Sequence, residues 1–238
     1  MPGASSLSVH ILLREIGLPF SIEVVNVTAK RRADGSDYKA VASRGMVPLL
    51  ELDDGERLTE NLVIAQYLCD RSERHDLMPP AGTMSRYHVM EWQSFIAAEL
   101  HKSLVPLYWP RVEARTGELV VARIRGRLGF VEREMTGAFL TGDIFTAADT
   151  YLFVIASWTR YFKIPLDDCP RLLGLLERVD RRPSVHAALA AEGPGFVTVS
   201  DLKRFPDLVA EGPEAFGSHR IHRSRHAGQR RPRAIMSG

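Results

Sequence analysis

The side chains able to do chemistry in this sequence are few and scattered. Two hydroxyls stand in Pro2-Gly3-Ala4-Ser5-Ser6, a carboxylate and an amide in Thr59-Glu60-Asn61, and a histidine beside a lysine in Glu99-Leu100-His101-Lys102. Ser5 and Ser6 precede Leu7, Ile11, Leu12, Leu13 and Ile16, apolar at helical spacing, with Gly17 as the stop, so both hydroxyls fall at a helix start. A hydroxyl there either caps its own helix or donates to an anion held by the free N–H groups of the first turn. Glu60 and Asn61 open a second helix, where a carboxylate either favours the helix dipole or meets a ligand amine. Lys30, one of three basic residues in a row, is either a solvated charge or the partner of a carboxylate. Pro48 after Val47 reads as a strand-edge proline, and His101 either as a histidine satisfied inside a bundle or as an orienting group.

Composition narrows the classes. The chain has 238 residues, 45% hydrophobic and 25% charged, ordinary for a globular protein. No run of eighteen apolar residues exists, so no transmembrane helix is expected, and the N-terminus carries no signal-peptide pattern. Cys69 and Cys169 are the only cysteines and form no CxxC, which makes a reducing, cytoplasmic setting the expectation. The net charge of +2 is uneven: residues 201–238 hold eight basic and four acidic side chains, leaving residues 1–200 at −2. The basic pI belongs to the tail, and no specific nucleic-acid partner is expected of the folded part. Phosphate loops, zinc-protease helices, nucleophile elbows and dinucleotide fingerprints are absent. His219, His222 and His226 lie in an Arg-rich stretch and are read as anion-attracting rather than metal-binding, so no metal is expected.

The elements that must position these groups alternate at first. A helix follows Ser5-Ser6, Phe20 to Val25 reads as a strand, and a short helix is expected over Asp37 to Ala42. Met46 to Leu52 reads as a strand turning at Asp53-Asp54-Gly55 into Glu56–Leu58, and Thr59-Glu60-Asn61 then caps a helix. Helical patterns follow over Ser85–Tyr108, 112–136, 146–162, 170–180 and 182–193, with Thr146 and Asp149 as a capping-box start. The expected domains are 1–72 (α/β), a linker at 73–82, an all-helical domain at 83–193, and an extension at 194–238 whose residues 215–238, free of carboxylates, read as a disordered basic tail.

The ordered set Pro2-Gly3-Ala4-Ser5-Ser6-Leu7, Val47-Pro48, Thr59-Glu60-Asn61, Glu91-Trp92, Glu99-Leu100-His101-Lys102 and Phe145-Thr146-Ala147-Ala148-Asp149 closely resembles a bacterial beta-class glutathione S-transferase over residues 1–193. The resemblance implies a thioredoxin-like N-terminal domain, an all-helical C-terminal domain, a homodimer, and glutathione as cosubstrate for hydrophobic electrophiles. It implies a cis Pro48, with Val47 pairing to the glutathione backbone, Glu60 and Asn61 at the γ-glutamyl end, and Lys30 on a carboxylate. His101 and Lys102 match a His-Lys pair facing the cleft, and Ser94 stands where the family often has asparagine. Tyr108, Trp109 and Trp158 are read as candidates for the electrophile pocket, or as bundle core.

Two departures shape the expected chemistry. The family's cysteine in Pro-Gly-Ala-Cys-Ser is Ser5 here, so mixed-disulfide chemistry is not expected at this position. Ser5 and Ser6 are then the hydroxyl donors expected to lower the pKa of a thiol that ordinarily titrates near ~8.5. The family's first strand, in the middle of its sheet, precedes the Pro-Gly motif and is missing from this sequence, which leaves ladder groups on both neighbours unpaired. The reading is therefore a glutathione transferase, against a non-catalytic glutathione-transferase-like binding protein or degraded paralogue, and, last, a thiol-disulfide oxidoreductase.

Overall fold

In the computed structural model, residues 3–108, 112–193 and 233–237 are described. Helix α1 (Ser6–Ile16) is buried from Ser6 to Leu13 because it has sheet on one side and helices on the other. Its Val9 and Leu13 pack with Leu50, Ile64 and Leu68, while Leu7, Ile11 and Leu12 belong to the large helical core. It stops at Gly17, whose φ of 80° suits glycine, and whose N–H donates to Leu13 O at 3.0 Å.

Strands β1 (Ser21–Asn26), β2 (Arg31–Arg32), β3 (Leu49–Glu51), β4 (Arg57–Thr59) and β5 (Arg233–Ser237) form one sheet in the order β2-β1-β5-β3-β4. β5 runs parallel to β1, with Ser21 opposite Arg233 and Val25 opposite Ser237. It runs antiparallel to β3, with Leu49 opposite Ile235 and Glu51 opposite Arg233. The outer pairs are antiparallel. Leu50 faces α1 and α2 (Asn61–Arg71), and Leu49 faces Val25, Tyr38 and Ala42 on the other side, the alternation a strand imposes.

β5 corrects the expectation of a disordered tail at its last residues. The central place in the sheet is filled from the far end of the chain. Main-chain N–H and C=O groups facing inward from β1 and β3 need partners, and a five-residue extended segment supplies them to both. Residues 194–232, with His219, His222 and His226, lie outside the described residues, as does Trp109.

The second half is helical. α3 (Met84–Phe95) runs on through a π-helical stretch, Ile96–His101, a short α4 (Lys102–Leu104) and a 3₁₀ turn at Val105–Tyr108. α5 (Ala114–Glu134), α6 (Ala147–Ser157), α7 (Pro170–Asp180) and α8 (Pro183–Glu192) follow. Every residue of α6 is buried. Its start is held by Asp149, which accepts from Thr146 N (2.7 Å), Thr146 Oγ1 (2.9 Å) and Leu140 N (3.0 Å).

Two ionic contacts tie the halves. Arg86 of α3, itself 6% exposed, makes a bidentate pair with Asp70 of α2 at 2.7 and 2.8 Å. Glu15 of α1 receives Arg182 and the Ser184 hydroxyl.

Candidate functional site

A cleft of about 720 Å³ opens between the sheet-bearing half and the helices. Its floor is the N-terminal turn of α1, its near wall is Val47-Pro48 and the start of α2, and its far wall is the π-helical stretch, α4, α6 and Trp158. Ser5, Val47, Pro48, Glu60, Asn61, His101, Lys102 and Trp158 all line it, with Asn26, Thr28, Arg44, Arg57, Ala97 and Tyr151. Residues spread over more than 150 positions of sequence thus meet around one space of the size that small ligands occupy.

Ser5 is fixed through its backbone. Its carbonyl oxygen accepts from Asn61 Nδ2 (2.8 Å) and from Ser8 Oγ (2.7 Å), and Asn61 Nδ2 also donates to Ser8 Oγ (2.6 Å). The segment before it is clamped from the helical half: Trp158 Nε1 donates to Gly3 O (2.8 Å), and Gly3 N donates to Glu192 Oε2 (3.0 Å). The Ser5 side chain makes no capping bond to α1. Ser5 lines the cleft at the positive end of α1, where negative charge is favoured; the Leu7 and Ser8 N–H groups are themselves engaged by Ala4 O (2.9 Å) and Ser5 O (3.2 Å).

The start of α2 is a second electropositive edge. Glu60 holds a φ of 69°, a left-handed conformation costly for a residue with a Cβ, and its carboxylate pairs with Arg44 Nη1 at 2.5 Å. Both side chains are exposed, at 62% and 66%, so the pair is screened by solvent and open to exchange for a ligand. Val47–Pro48 is a cis peptide, as the resemblance implies.

On the helical wall, His101 Nδ1 is 2.8 Å from the Tyr151 hydroxyl, and its ring meets Trp158 edge-on at 5.0 Å. Burial, with a smaller contribution from Lys102, pushes the imidazole down to about 4, so it is neutral at physiological pH. Burial likewise raises the Tyr151 phenol above its usual range, so the phenol stays protonated. Together they form a neutral hydrogen-bonding pair rather than a cation.

Three of the expected residues are placed differently, and Tyr108 takes the bundle-core alternative of its two readings. Ser6 is fully buried and its Oγ has no partner among the described residues; one step around the helix turns it away from the cleft. Lys30 donates its Nζ to Gly45 O (2.7 Å), and its stem lies where a Cβ on Gly45 would meet Cδ at 3.0 Å, so it braces a loop off the cleft wall. Ser94 is exposed and does not line the cleft, because it lies on the other side of α3 from the cleft. Tyr108 stacks edge-on against Trp158 and Phe162 as a half-buried bundle residue, while Trp158 does line the cleft. Asn61 is at the site, but its amide holds α1 in place.

Arg44 and Tyr151 carry no sequence signal for the site. Arg44 is one loop arginine among many, and Tyr151 reads as a core position of α6. The thiols of Cys69 and Cys169 are both buried, and burial pushes them up to about 12 and about 11, so neither supplies a thiolate for disulfide exchange. Among the described residues no cluster able to hold a metal ion is found, and no helix is long and apolar enough to cross a membrane.

Comparison with known proteins gives the same architecture. Residues 4–71 match the family model for the glutathione S-transferase N-terminal domain, and residues 98–192 that for the C-terminal domain. The chain is 39% identical over 193 residues to glutathione S-transferase GstA of Escherichia coli O157:H7, an alignment covering 81% of this chain and 96% of that one. It superimposes with a TM-score of 0.78 at 43% identity on the ternary complex of BphK, a bacterial GST. It superimposes with a TM-score of 0.77 at 37% identity on the beta-class glutathione S-transferase of Sphingomonas chungbukensis. Each superposition covers 81% of this chain and 96% of the other.

Proposed function

Because the chain belongs to the bacterial glutathione S-transferase family, we propose that it conjugates the glutathione thiolate to hydrophobic electrophiles in this cleft, with Ser5 as the donor that stabilises the thiolate. The observation that supports this is Ser5 at the α1 N-terminus, lining the cleft with its hydroxyl in no hydrogen bond among the described residues. A hydrogen bond from a hydroxyl to a charged sulfur contributes about 1.5–3 kcal/mol, equivalent to about one to two units of thiol pKa. That brings an ordinary thiol from a few per cent to roughly a quarter to three quarters ionised at neutral pH.

The rest of the peptide fits the polar wall. Val47 and the strand-like backbone before Pro48 pair with its main chain. The α2 N-terminus, with Glu60 and Arg44, receives the γ-glutamyl amine and carboxylate. Lys102 lies in reach of a carboxylate at the cleft mouth, whereas Lys30 has no part. His101 and Tyr151 orient a hydroxyl or water, and Trp158 and Ala97 give the electrophile an apolar wall. A homodimer is part of this reading, supported by exposed Val63 on α2 and Met84 and Tyr87 on α3, and so is a cytoplasmic setting that keeps both buried cysteines reduced.

An ultraviolet difference titration with glutathione across pH tests it. The wild type is expected to show a saturable thiolate band below the pH at which free glutathione ionises, and Ser5→Ala to shift that band upward. Binding of glutathione with no thiolate signal in either protein overturns the catalytic role of Ser5 and leaves a binding protein.

A further inference from the structure

The centre of the sheet is occupied by a segment that reaches it from the opposite end of the chain. We propose that residues 233–237 act as a site-completing strand: the slot between β1 and β3 is a docking surface whose occupant is this chain's own C-terminal segment, and the cleft is assembled only when the segment is seated.

β1 and β3 make no ladder with each other; each pairs with β5 on its inner edge and with β2 or β4 on its outer one. With β5 removed the sheet separates into two two-stranded ribbons, β2-β1 and β3-β4. A two-stranded ribbon is marginal by itself, and both inner edges would present unpaired N–H and C=O groups. Apolar residues line both faces beside the slot, Leu50 and Ile22 on one side and Leu49 and Val25 on the other. The seated segment carries the apolar run Ala234-Ile235-Met236 at the end of a tail otherwise rich in arginine, the composition of a strand covered on both faces.

The strand also ends at the cleft. Ser237 lies opposite Val25, and from there the chain continues into Asn26 and Thr28, which line the cleft. Ile235 lies opposite Leu49, the residue after the cis Val47–Pro48 bond. Docking of β5 therefore sets the spacing between the loop after β1 and Val47-Pro48. Main-chain pairing along an edge is the way extended peptides add to sheets in general. Here it happens on two edges at once.

The test uses three chains: the full-length protein, a chain ending at Pro232, and full-length Ile235→Pro, in which a ladder N–H is removed from mid-strand. Hydrogen exchange is read separately for β1 and β3 and for the buried helix α6. Loss of β5 is expected to speed exchange in β1 and β3 on the order of 100-fold while α6 keeps its protection. A synthetic peptide spanning Arg231–Gly238, added to the shortened chain, is expected to restore the protection.

The thiolate titration gives a second readout that rests on the transferase reading, and it is expected to be lost and regained in parallel. Should the full-length chain give no thiolate signal, the exchange data still decide the strand. Unchanged β1 and β3 protection in both altered chains overturns the proposal. If shortening unfolds the helices too, recovery on refolding with the peptide supports it, and failure to recover while Ile235→Pro stays fully protected overturns it. Protection that falls on dilution of the full-length chain assigns the strand to a second copy and overturns docking within one chain.

Discussion

One hydroxyl and one ring decide the chemistry at the residue scale. Ser5 has no covalent reactivity to offer, so its contribution is a hydrogen bond aimed at developing charge, and losing such a donor costs about 10²-fold in turnover. Ser5→Ala is expected to lower kcat by that order with glutathione KM little changed, measured with a chromogenic aryl halide. Ser5→Cys tests the same geometry differently. A thiol at a helix N-terminus is acidified, so this variant is expected to form a mixed disulfide with oxidised glutathione, detectable by intact mass, where the wild type forms none. His101 makes a pH prediction. Its pKa falls from the usual 6.5 to about 4 on folding, so the unfolded chain binds the proton more readily. The stability it contributes is fully present above pH 6.5 and is lost as pH falls through 4, by no more than about 3 kcal/mol. Urea unfolding of the wild type and His101→Gln is expected to show the wild type losing more stability between pH 6.5 and 4. Asp149 works against this trend, since burial holds it up to about 6, which is why the difference between the two proteins is the informative quantity.

At the scale of elements, the site depends on how helix starts are held. α6 carries Tyr151 and leads into Trp158, and its first turn hangs on Asp149. Asp149→Ala leaves Thr146 N and Leu140 N as buried donors without an acceptor, at about 1–3 kcal/mol each. A fall in urea midpoint corresponding to about 2–4 kcal/mol is expected, with a weaker contact between Trp158 and Gly3 and hence a lower glutathione affinity. The stretch Ile96–His101 shows the opposite kind of device. A π-helical segment inserts extra residues into one turn, so the face that carries Val89 and Gln93 into the core is rotated before it reaches His101. That rotation brings His101 to Tyr151 and the cleft, and it leaves Ser94 on the outer side. Simple helical spacing puts Ser94 and His101 on one face, so nothing in the periodicity opposed the expectation of Ser94 at the cleft that the resemblance implied.

For the molecule as a whole, the cleft exists because two halves are locked together. Arg86 with Asp70 and Arg182 with Glu15 cross the boundary, the first cation buried and the second half-buried. Breaking such a pair leaves the other charge uncompensated, a cost of about 3–5 kcal/mol for a fully buried pair and less here because Asp70 is half exposed. Arg86→Ala is expected to lower the thermal midpoint and to raise glutathione KM, since the α2 start and the helical wall lose their common frame. The alternation of helix and strand to residue 72, the helical series to 193, and the Pro-Gly, Val-Pro and Glu-Asn segments were legible because each is written in local periodicity and in short motifs. The roles of Lys30, Ser6 and Arg44 were not, because side-chain direction within a loop or one turn of helix leaves no trace in residue type.

By itself, then, the sequence determined the order of most elements, the family they belong to, and the Ser5, Val47-Pro48, Glu60-Asn61 and His101-Lys102 groups that meet at the cleft. Only the tertiary structure decided which polar groups remain available there, because a hydroxyl or an ammonium is committed by whatever packs beside it: Gly45 takes Lys30, burial takes Ser6, and Ser5 is left open. It alone decided the centre of the sheet. A five-residue strand carries almost no local signal in a tail of arginines, and its partners lie some two hundred residues away. What selects it is a pair of inner edges whose backbone groups must be paired.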